Sequence, residues 1–187
     1  MSEQALEPVP ALGVNHLVLN VRDIEKSHKF YTECLGWQQI GALGPHIPME
    51  MRFYANRPGS HHDVALVQMK EPETAPPVEN WGLIGSKGHN AINHYAVAYR
   101  KEDFVKQLEF MKTKGVEFKV RGEHGMTHSC YVVDPDGNGI EILYELPREL
   151  WEQDINGALN YFVPTPTEGD EALIDNTDYK VFTAPGA

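Results

Sequence analysis

The sequence has little cysteine, little positive charge and no long apolar run. Its 187 residues include two cysteines, and 16 lysines and arginines against 27 aspartates and glutamates, which gives a formal net charge of −11. Two cysteines do not make a disulfide framework, and the acidic balance disfavours nucleic acids and anionic membranes as partners. No run of about 18 apolar residues suggests a membrane span. We therefore expect a soluble protein of the reducing cytoplasm with a small-molecule ligand.

A strand–helix pattern occurs twice along the chain. Residues 15–37 begin with alternating apolar and polar positions and then change to helical spacing, and residues 92–115 repeat this order. Each helix pattern ends at a glycine. His16 and His94 stand near the starts of the two strands, and their spacing equals that of the two glycines to within one residue. This agreement indicates an internal duplication.

Further strand patterns follow each predicted helix. They cover residues 49–55 and 62–69 in the first half, and residues 116–120, 128–134 and 139–146 in the second. The segment Asp-Pro-Asp-Gly-Asn-Gly before the last of them is typical of a hairpin turn. The sequence thus predicts an α+β fold in which two tandem β-α-β-β-β modules form a cupped mixed sheet.

The predicted domain organisation follows from the repeat. One domain is expected over residues 13–146, because the length allows two small fused modules but not two average domains. Its modules, at about 13–70 and 91–146, are joined by a loop rich in proline and glycine at 70–90. Residues 1–12, which lack a basic-then-apolar start, are expected to be a tail and not a targeting segment. Residues 147–187 are predicted to form a helix over 148–162 and an acidic tail, which either contacts a neighbouring subunit or is solvated.

Three predicted strands each carry a residue that is unusual on an apolar face. His94 shares a face with two alanines, His16 with a valine and an asparagine, and Glu141 with a leucine and a second glutamate. Two histidines and a carboxylate from three strands can form the facial triad that holds divalent iron from one side. A single strand histidine is more often a hydrogen-bonded core residue, and a glutamate near a strand end is usually solvated. The matched positions of His16 and His94 favour the metal site.

The stretch from His124 to Glu141 adds a longer motif, HGMTHSCYVVDPDGNGIE. Together with the two Asn-His strand starts and the duplicated modules, it resembles the type I extradiol catechol dioxygenases of the vicinal oxygen chelate superfamily. The resemblance covers about residues 13–146 and is to the small enzymes that act on 2,3-dihydroxybiphenyl-like catechols. Cys130 stands where an aliphatic residue or phenylalanine is usual. The motif is met by His124, Tyr131, Asp134, Pro135, Gly137 and Glu141.

The resemblance implies a reaction and a set of roles. A catechol and O2 would be the reactants, Fe(II) the metal with Mn(II) as the alternative, and a muconic-semialdehyde-type acid the product. In SHHDVALVQ, His62 corresponds to the acid/base residue of the family. The resemblance also implies a homo-oligomer. The implied metal ligands are His16, His94 and Glu141, and the implied hydrogen-bonding residues are His124 and Tyr131.

Three further residues are weaker candidates for substrate contact. His128 lies inside the motif, Trp81 in the connecting loop, and His46 in a turn-rich segment of the first half. An apolar anchor for the loop explains Trp81 equally well, and an ordinary loop position is favoured for His46.

Other functions of the same fold remain open. Fosfomycin-resistance transferases share the metal triad, but they use basic residues to hold a phosphonate, of which this acidic chain offers few. A glyoxalase-like isomerase is disfavoured because no obvious fourth metal-binding carboxylate follows His62. A drug-binding protein resembling the bleomycin-resistance members would need no metal, so metal content separates it from the enzymes.

Overall fold

The computed structural model describes residues 13–75, 82, 92–175 and 179–183, which form two β-sheets with helices. The N-terminal sheet has the order β1-β4-β3-β2 and consists of β1 (Leu17–Val21), β2 (Gln38–Ala42), β3 (Met51–Ala55) and β4 (Val64–Gln68). The C-terminal sheet has the order β5-β8-β7-β6-β9 and consists of β5 (His94–Ala98), β6 (Val120–His124), β7 (Thr127–Val133), β8 (Gly139–Glu145) and β9 (Phe162–Pro164). β1 pairs with β4 and β5 with β8 in parallel, whereas the other pairs are antiparallel.

The helical segments of the two modules start and end where the sequence predicts. Helix α1 (Ile24–Lys29) continues into one π-helical turn, Phe30–Cys34, and helix α2 covers Lys101–Thr113. Asp23 caps α1 by accepting backbone N–H bonds from Glu25 and Lys26, each at 3.0 Å. Gly36 and Gly115 end the two helical segments with φ values of +76° and +75°, a conformation that glycine adopts without a Cβ clash. The α+β prediction of two β-α-β-β-β modules is confirmed, although the strands form two sheets and not one.

Three secondary-structure predictions were wrong. β2 was missed because its five residues lack an apolar alternation and are mostly exposed. The strand predicted at residues 116–120 forms only from Val120 onward, as β6. The helix predicted over residues 148–162 is broken: after a 3₁₀ turn at Arg148–Leu150, the short helix α3 (Ile155–Leu159) starts anew and β9 follows. Asp154 causes the restart, since its carboxylate accepts the N–H bond of Gly157 at 2.8 Å.

One hydrophobic core joins both sheets and both long helices. It includes Leu66 of the N-terminal sheet, Tyr31 beside α1, Leu108 of α2 and Ile142 of the C-terminal sheet, all fully buried. Burial of such side chains contributes about 1.5–3 kcal/mol each to folding. The helical segments also touch directly, because the Gln107 side-chain amide donates to the Leu35 carbonyl oxygen at 3.1 Å.

Polar bonds fasten the hairpin turn of the second module to the first. Asp136 accepts hydrogen bonds from the backbone N–H of Arg22 at 2.9 Å and from the Ser27 hydroxyl at 3.0 Å. The hydroxyl of Tyr31 donates to Asp134 at 3.1 Å. Burial of these carboxylates is therefore matched by donors from α1 and its flanks, and the two modules hold one fixed relation.

Strand alternation decides which face of each sheet carries the predicted site residues. Leu19 and Val21 of β1 are buried in the core, whereas Val18, next to Leu19, is 48% exposed. On β5 the side chains of Tyr95 and Val97 pack against the core, and their neighbours point the other way. His16 and His94 therefore lie on sheet faces that are turned away from the core.

The described part of the C-terminal segment packs on its own chain. The Arg121 guanidinium, 3% exposed, donates to the Ala172 carbonyl oxygen at 2.7 Å. Asp175 accepts hydrogen bonds from the Tyr144 hydroxyl at 2.7 Å and from the His128 ring at 2.9 Å. These contacts cover the core-side face of the C-terminal sheet, and the predicted contact of the tail with a neighbouring subunit stays a prediction. None of the helices in the described ranges has the length and apolar character of a membrane span.

Candidate active site

Five strands of the C-terminal sheet contribute one side chain each to a row on the face turned away from the core. The register pairs Ala96 with Glu141, Glu141 with Tyr131 and Val120 with Tyr131, and period-2 alternation then fixes the other positions. β9 adds the last member through the pair of His124 and Phe162. We call this set the catalytic row: His94, Glu141, Tyr131, His124 and Phe162.

Hydrogen bonds run along the catalytic row. The Tyr131 hydroxyl donates to Glu141 Oε1 at 2.8 Å, and His94 Nε2 lies 3.3 Å from Glu141 Oε2. His124 Nε2 is 3.0 Å from the Tyr131 oxygen. Because the one Tyr131 proton points to the carboxylate, the imidazole N–H of His124 is the donor in this bond. The row is therefore a relay of donors directed at a carboxylate that is only 7% exposed.

Burial sets the protonation of these side chains. It raises the pKa of Tyr131 far above the ordinary range, and the charge of Glu141 adds to this effect, so the phenol keeps its proton. Burial also lowers the pKa of His124, which is therefore neutral at pH 7. The face thus presents neutral hydrogen-bond donors, which suit an anionic substrate oxygen.

Phe162 was not predicted from the sequence and closes the end of the row. Its ring centroid lies 4.9 Å from that of His124, and the side chain is 40% exposed. A Cβ at position 122 would clash with this ring, so Gly122 leaves the room that the Phe162 side chain occupies. The motif ended at Glu141, and Phe162, as the last residue of the predicted helix, gave no chemical signal that could identify it.

A second group of histidines lies on the outward side of the N-terminal sheet. The ring centroids of His16 and His62 are 4.3 Å apart, and Nδ1 of His61 is 2.7 Å from Nδ1 of His62. Phe53 of β3 stands edge-on to His62 at 5.2 Å. Partial burial is the main cause that lowers the pKa of His62, and the neighbouring imidazoles of His16 and His61 lower it further. His62 is thus suited to accept a proton near neutral pH. We call His16, His61 and His62 the histidine group.

The two sets do not meet in one chain. His16 lines a cavity of about 280 Å³ together with the β5 residues Tyr95, Ala96, Val97 and Ala98. No group of three or more histidine, cysteine, aspartate or glutamate side chains in the described ranges can hold one metal ion. The structure brings His94 to Glu141 but leaves His16 beside His62. The described residues therefore do not show the three predicted ligands as one metal-binding group, and the triad stays a prediction.

The weaker candidates lie apart from the catalytic row. His128, 4% exposed, is on the opposite face of β7 and binds Asp175 of the C-terminal segment, so its position does not support the predicted substrate contact. His46 is exposed in the turn after β2. Trp81 lies outside the described residues.

The chain is similar to curated proteins of more than one activity. It is 23% identical over 165 residues to catechol-2,3-dioxygenase of Bacillus subtilis, with 87% of this chain and 51% of that protein covered. It is 37% identical over 83 residues to biphenyl-2,3-diol 1,2-dioxygenase 2 of Rhodococcus globerulus, with 44% and 39% covered. It is 27% identical over 142 residues to lactoylglutathione lyase of Schizosaccharomyces pombe, with 70% and 46% covered. The chain thus spans about half or less of the length of these relatives.

Solved structures and the family assignment agree on the fold. The fosfomycin resistance protein FosX from Listeria monocytogenes matches with a TM-score of 0.53 at 18% identity, covering 73% of this chain and 94% of that one. A glyoxylase/bleomycin resistance protein/dioxygenase domain from Frankia sp. matches with a TM-score of 0.56 at 16% identity, covering 73% and 100%. At this identity the likeness shows the fold alone. Residues 13–142 match one family, and the chain belongs to the glyoxalase/bleomycin resistance protein/dioxygenase superfamily.

Proposed function

We propose that the protein is an extradiol dioxygenase that inserts both atoms of O2 into an aryl-substituted catechol such as 2,3-dihydroxybiphenyl. The observation that supports this best is the catalytic row, in which a histidine–carboxylate pair is continued by two hydrogen-bond donors and an aromatic ring. The ring-cleaving relatives from Bacillus subtilis and Rhodococcus globerulus agree with it. The proposed ligands His16, His94 and Glu141 are of the types that Fe(II) and also Mn(II) accept.

The side chains of the row match the shape of such a substrate. In the proposed complex Glu141 would bind the metal, and the Tyr131 hydroxyl, supported by the N–H of His124, would turn its proton from Glu141 to a catechol oxygen and stabilise the negative charge that develops as the ring opens. Phe162 follows at the next strand, 4.9 Å from His124, where the second ring of a biphenyl would lie against it. This order of side chains supports a substrate with a polar end near Glu141 and an apolar end near Phe162.

His62 is the proposed acid/base residue. Its lowered pKa leaves the imidazole neutral, so it accepts a proton from a catechol hydroxyl and returns one to an oxygen atom later in the reaction. This role requires His62 to face the catalytic row.

The decisive experiment measures oxygen uptake by anaerobically iron-loaded protein after 2,3-dihydroxybiphenyl is added, with visible absorbance recorded in the same cell. We expect loss of one O2 for each molecule of catechol and a yellow product. Iron-loaded protein that consumes no O2 with this compound or with plain catechol would exclude the proposal.

A lactoylglutathione lyase is the second candidate. The chain is 29% identical over 136 residues to a probable lactoylglutathione lyase of Vibrio parahaemolyticus and covers 87% of that protein. The carboxylate next to His62 is engaged elsewhere, however. Asp63 accepts the backbone N–H bond of Asn56 at 2.8 Å and pairs with the Arg57 side chain, so this group is not available as an additional metal ligand. Turnover of a glutathione hemithioacetal in place of catechols would favour the lyase.

A further inference from the structure

We propose that Asn15 and Asn93 are positioning residues that fix the ring tautomer of the histidine following each of them, so that Nε2 of His16 and of His94 carries the free lone pair. The inference rests on the proposed function for the metal ion that this nitrogen would bind. It gives a part to two residues that belong neither to the proposed ligand set nor to the motif that ends at Glu141.

The two asparagines stand at equivalent places in the two modules. Asn15 and His16 immediately precede β1, and Asn93 immediately precedes His94, the first residue of β5. In each pair the side chains are in contact: Asn15 Oδ1 lies 2.8 Å from His16 Nδ1, and Asn93 Oδ1 lies 2.6 Å from His94 Nδ1. The same contact therefore occurs twice, at the two places where the duplication matches the histidines.

These contacts decide where the imidazole proton lies. An amide oxygen accepts hydrogen bonds and has no proton to donate, so Nδ1 of each ring must be the N–H donor. A neutral imidazole has one N–H group, which leaves Nε2 with an unprotonated lone pair. A metal ion binds a histidine through such a lone pair, so both rings are prepared to bind through Nε2.

A further hydrogen bond fixes the orientation of the Asn93 amide. Its Nδ2 group donates to the carbonyl oxygen of Gly82 at 3.2 Å. The amide oxygen is therefore the end turned towards His94, because a flipped amide would present a donor to the ring and would lose the bond to Gly82. Through Gly82, the segment between the two modules thus takes part in orienting the His94 ring.

The position of His94 Nε2 suits a cation. This atom lies 3.3 Å from Glu141 Oε2, whereas the Tyr131 hydroxyl donates to the other carboxylate oxygen. With the imidazole proton on Nδ1, a lone pair and a carboxylate oxygen face each other and share no proton. Ligand atoms that lie about 2 Å from one ion are at most about 4 Å apart, so one divalent ion can bind both atoms at their present spacing.

Two other histidines show that this arrangement is not a general property of the fold. His124 is bound through Nε2, whose N–H donates to Tyr131, so its ring has the opposite tautomer. The partner of His28 Nδ1 is the Tyr54 hydroxyl at 3.1 Å, which can donate or accept and leaves the tautomer open. An amide oxygen at Nδ1 is therefore a specific device, and the proposed metal ligands on β5 and before β1 both have it.

Nitrogen-15 NMR of metal-free protein with labelled histidine tests the tautomers directly. The spectra are recorded at about pH 8, above the range in which a free imidazole titrates. We expect the proton on Nδ1 in His16 and His94, and on Nε2 in His124. Asn15→Ala and Asn93→Ala should each convert the following histidine to a mixture of tautomers, whereas Asn15→Asp and Asn93→Asp, which keep an acceptor oxygen, should retain the wild-type form. A proton on Nε2 of His16 or His94 in the wild type, or an unchanged tautomer in the alanine variants, overturns the proposal.

Titration with Mn(II) tests what the tautomers do for metal binding. Loss of a group that orients a metal-binding histidine typically costs about 10–100-fold in affinity, so Asn15→Ala and Asn93→Ala should each weaken Mn(II) binding by about that factor. The two aspartate variants should bind at least as tightly as the wild type. Asn20→Ala is the matched control, because this exposed asparagine lies on β1, and it should bind as the wild type does. Unchanged affinity in both alanine variants, beside a wild type that binds Mn(II), overturns the positioning role. The expected tautomers in a wild type that binds no metal would keep the assignment of the asparagines and reject the metal-dependent dioxygenase.

Discussion

The Tyr131 hydroxyl donates a 2.8 Å hydrogen bond to Glu141 on the neighbouring strand, and the imidazole of His124 binds the same phenol oxygen at 3.0 Å. Three strands thereby fix the orientation of one carboxylate. Burial and the charge of Glu141 keep the phenol protonated by raising the pKa of Tyr131. The phenol therefore stays protonated at neutral pH and can act as a donor.

Replacing this donor tests its part in the reaction. We expect Tyr131→Phe to lower kcat/KM for 2,3-dihydroxybiphenyl about 10²-fold, the loss that removal of one charge-stabilising donor causes. The fold should stay intact, because the aromatic ring is retained. Oxygen-uptake kinetics and far-ultraviolet circular dichroism check both points. Tyr161→Phe is the control, since this partly exposed tyrosine lies beside Phe182; an equal loss there would show that Tyr131 has no special role.

Acid should loosen the C-terminal segment. Burial opposes ionisation of Asp175, but hydrogen bonds from His128 and Tyr144 outweigh it, and the pKa falls below the ordinary value of 3.8. Because the pKa of Asp175 is lower in the folded than in the unfolded protein, these hydrogen bonds stabilise the fold at any pH above the unfolded-state pKa. Their contribution is lost as the pH falls through the folded-state pKa. We expect Asp175→Ala to cost about 1–3 kcal/mol at pH 7, because it removes one hydrogen bond each from the buried His128 and Tyr144 and leaves them only the bond to each other.

Urea unfolding of both proteins across the acid range measures this effect. The stability difference between wild type and Asp175→Ala should shrink below pH 4 or so, as the wild-type carboxylate is protonated. Glu152→Ala is the control, because Glu152 pairs with Arg148 at an exposed position. A difference that stays constant down to acid unfolding would contradict the assignment.

The sequence predicted the parts of the fold that depend on local patterns. Periodicity placed α2, a capping aspartate marked the start of α1, and glycines marked the ends of both helical segments. β2 was not predicted, because an exposed strand at the edge of a sheet needs no alternation of apolar and polar residues. The helix break at Asp154 was not predicted, because the apolar spacing continues across this residue. Its side chain nevertheless caps a new helix.

The site was predictable strand by strand but not as a whole. The motif identified His124, Tyr131 and Glu141, which the structure brings into hydrogen-bonding contact. Duplication also matched His16 to His94, yet equivalent places in two modules do not imply proximity, since the relation between the modules depends on which faces share a core. His128 shows the same limit: it lies within the motif, but period-2 alternation points it to the other face of β7.

The pH profile should identify His62 as the base. Burial and the neighbouring imidazoles lower its pKa below the ordinary 6.5. The base form is present above that pKa. As the pH is raised from acid, kcat/KM should therefore increase and reach its plateau before pH 6.5. We expect His62→Phe to lose the rising limb and about 10²-fold in rate while it retains bound metal. His46→Phe, a change at an exposed loop histidine, should keep the wild-type profile. Normal turnover by a metal-loaded His62→Phe variant would remove the assignment.

Phe162 should decide how well the protein distinguishes substituted from plain catechols. An aromatic pair contributes about 0.5–1.5 kcal/mol beyond area burial, so Phe162→Ala should lower kcat/KM for 2,3-dihydroxybiphenyl up to about tenfold. Plain catechol has no second ring to lose that contact, and its kcat/KM should change little. Val163→Ala is the matched control, because the next residue of β9 points to the opposite face. Equal losses for both substrates would mean that Phe162 supports His124 and does not touch the substituent, since the substituted and plain rings would then depend on it alike.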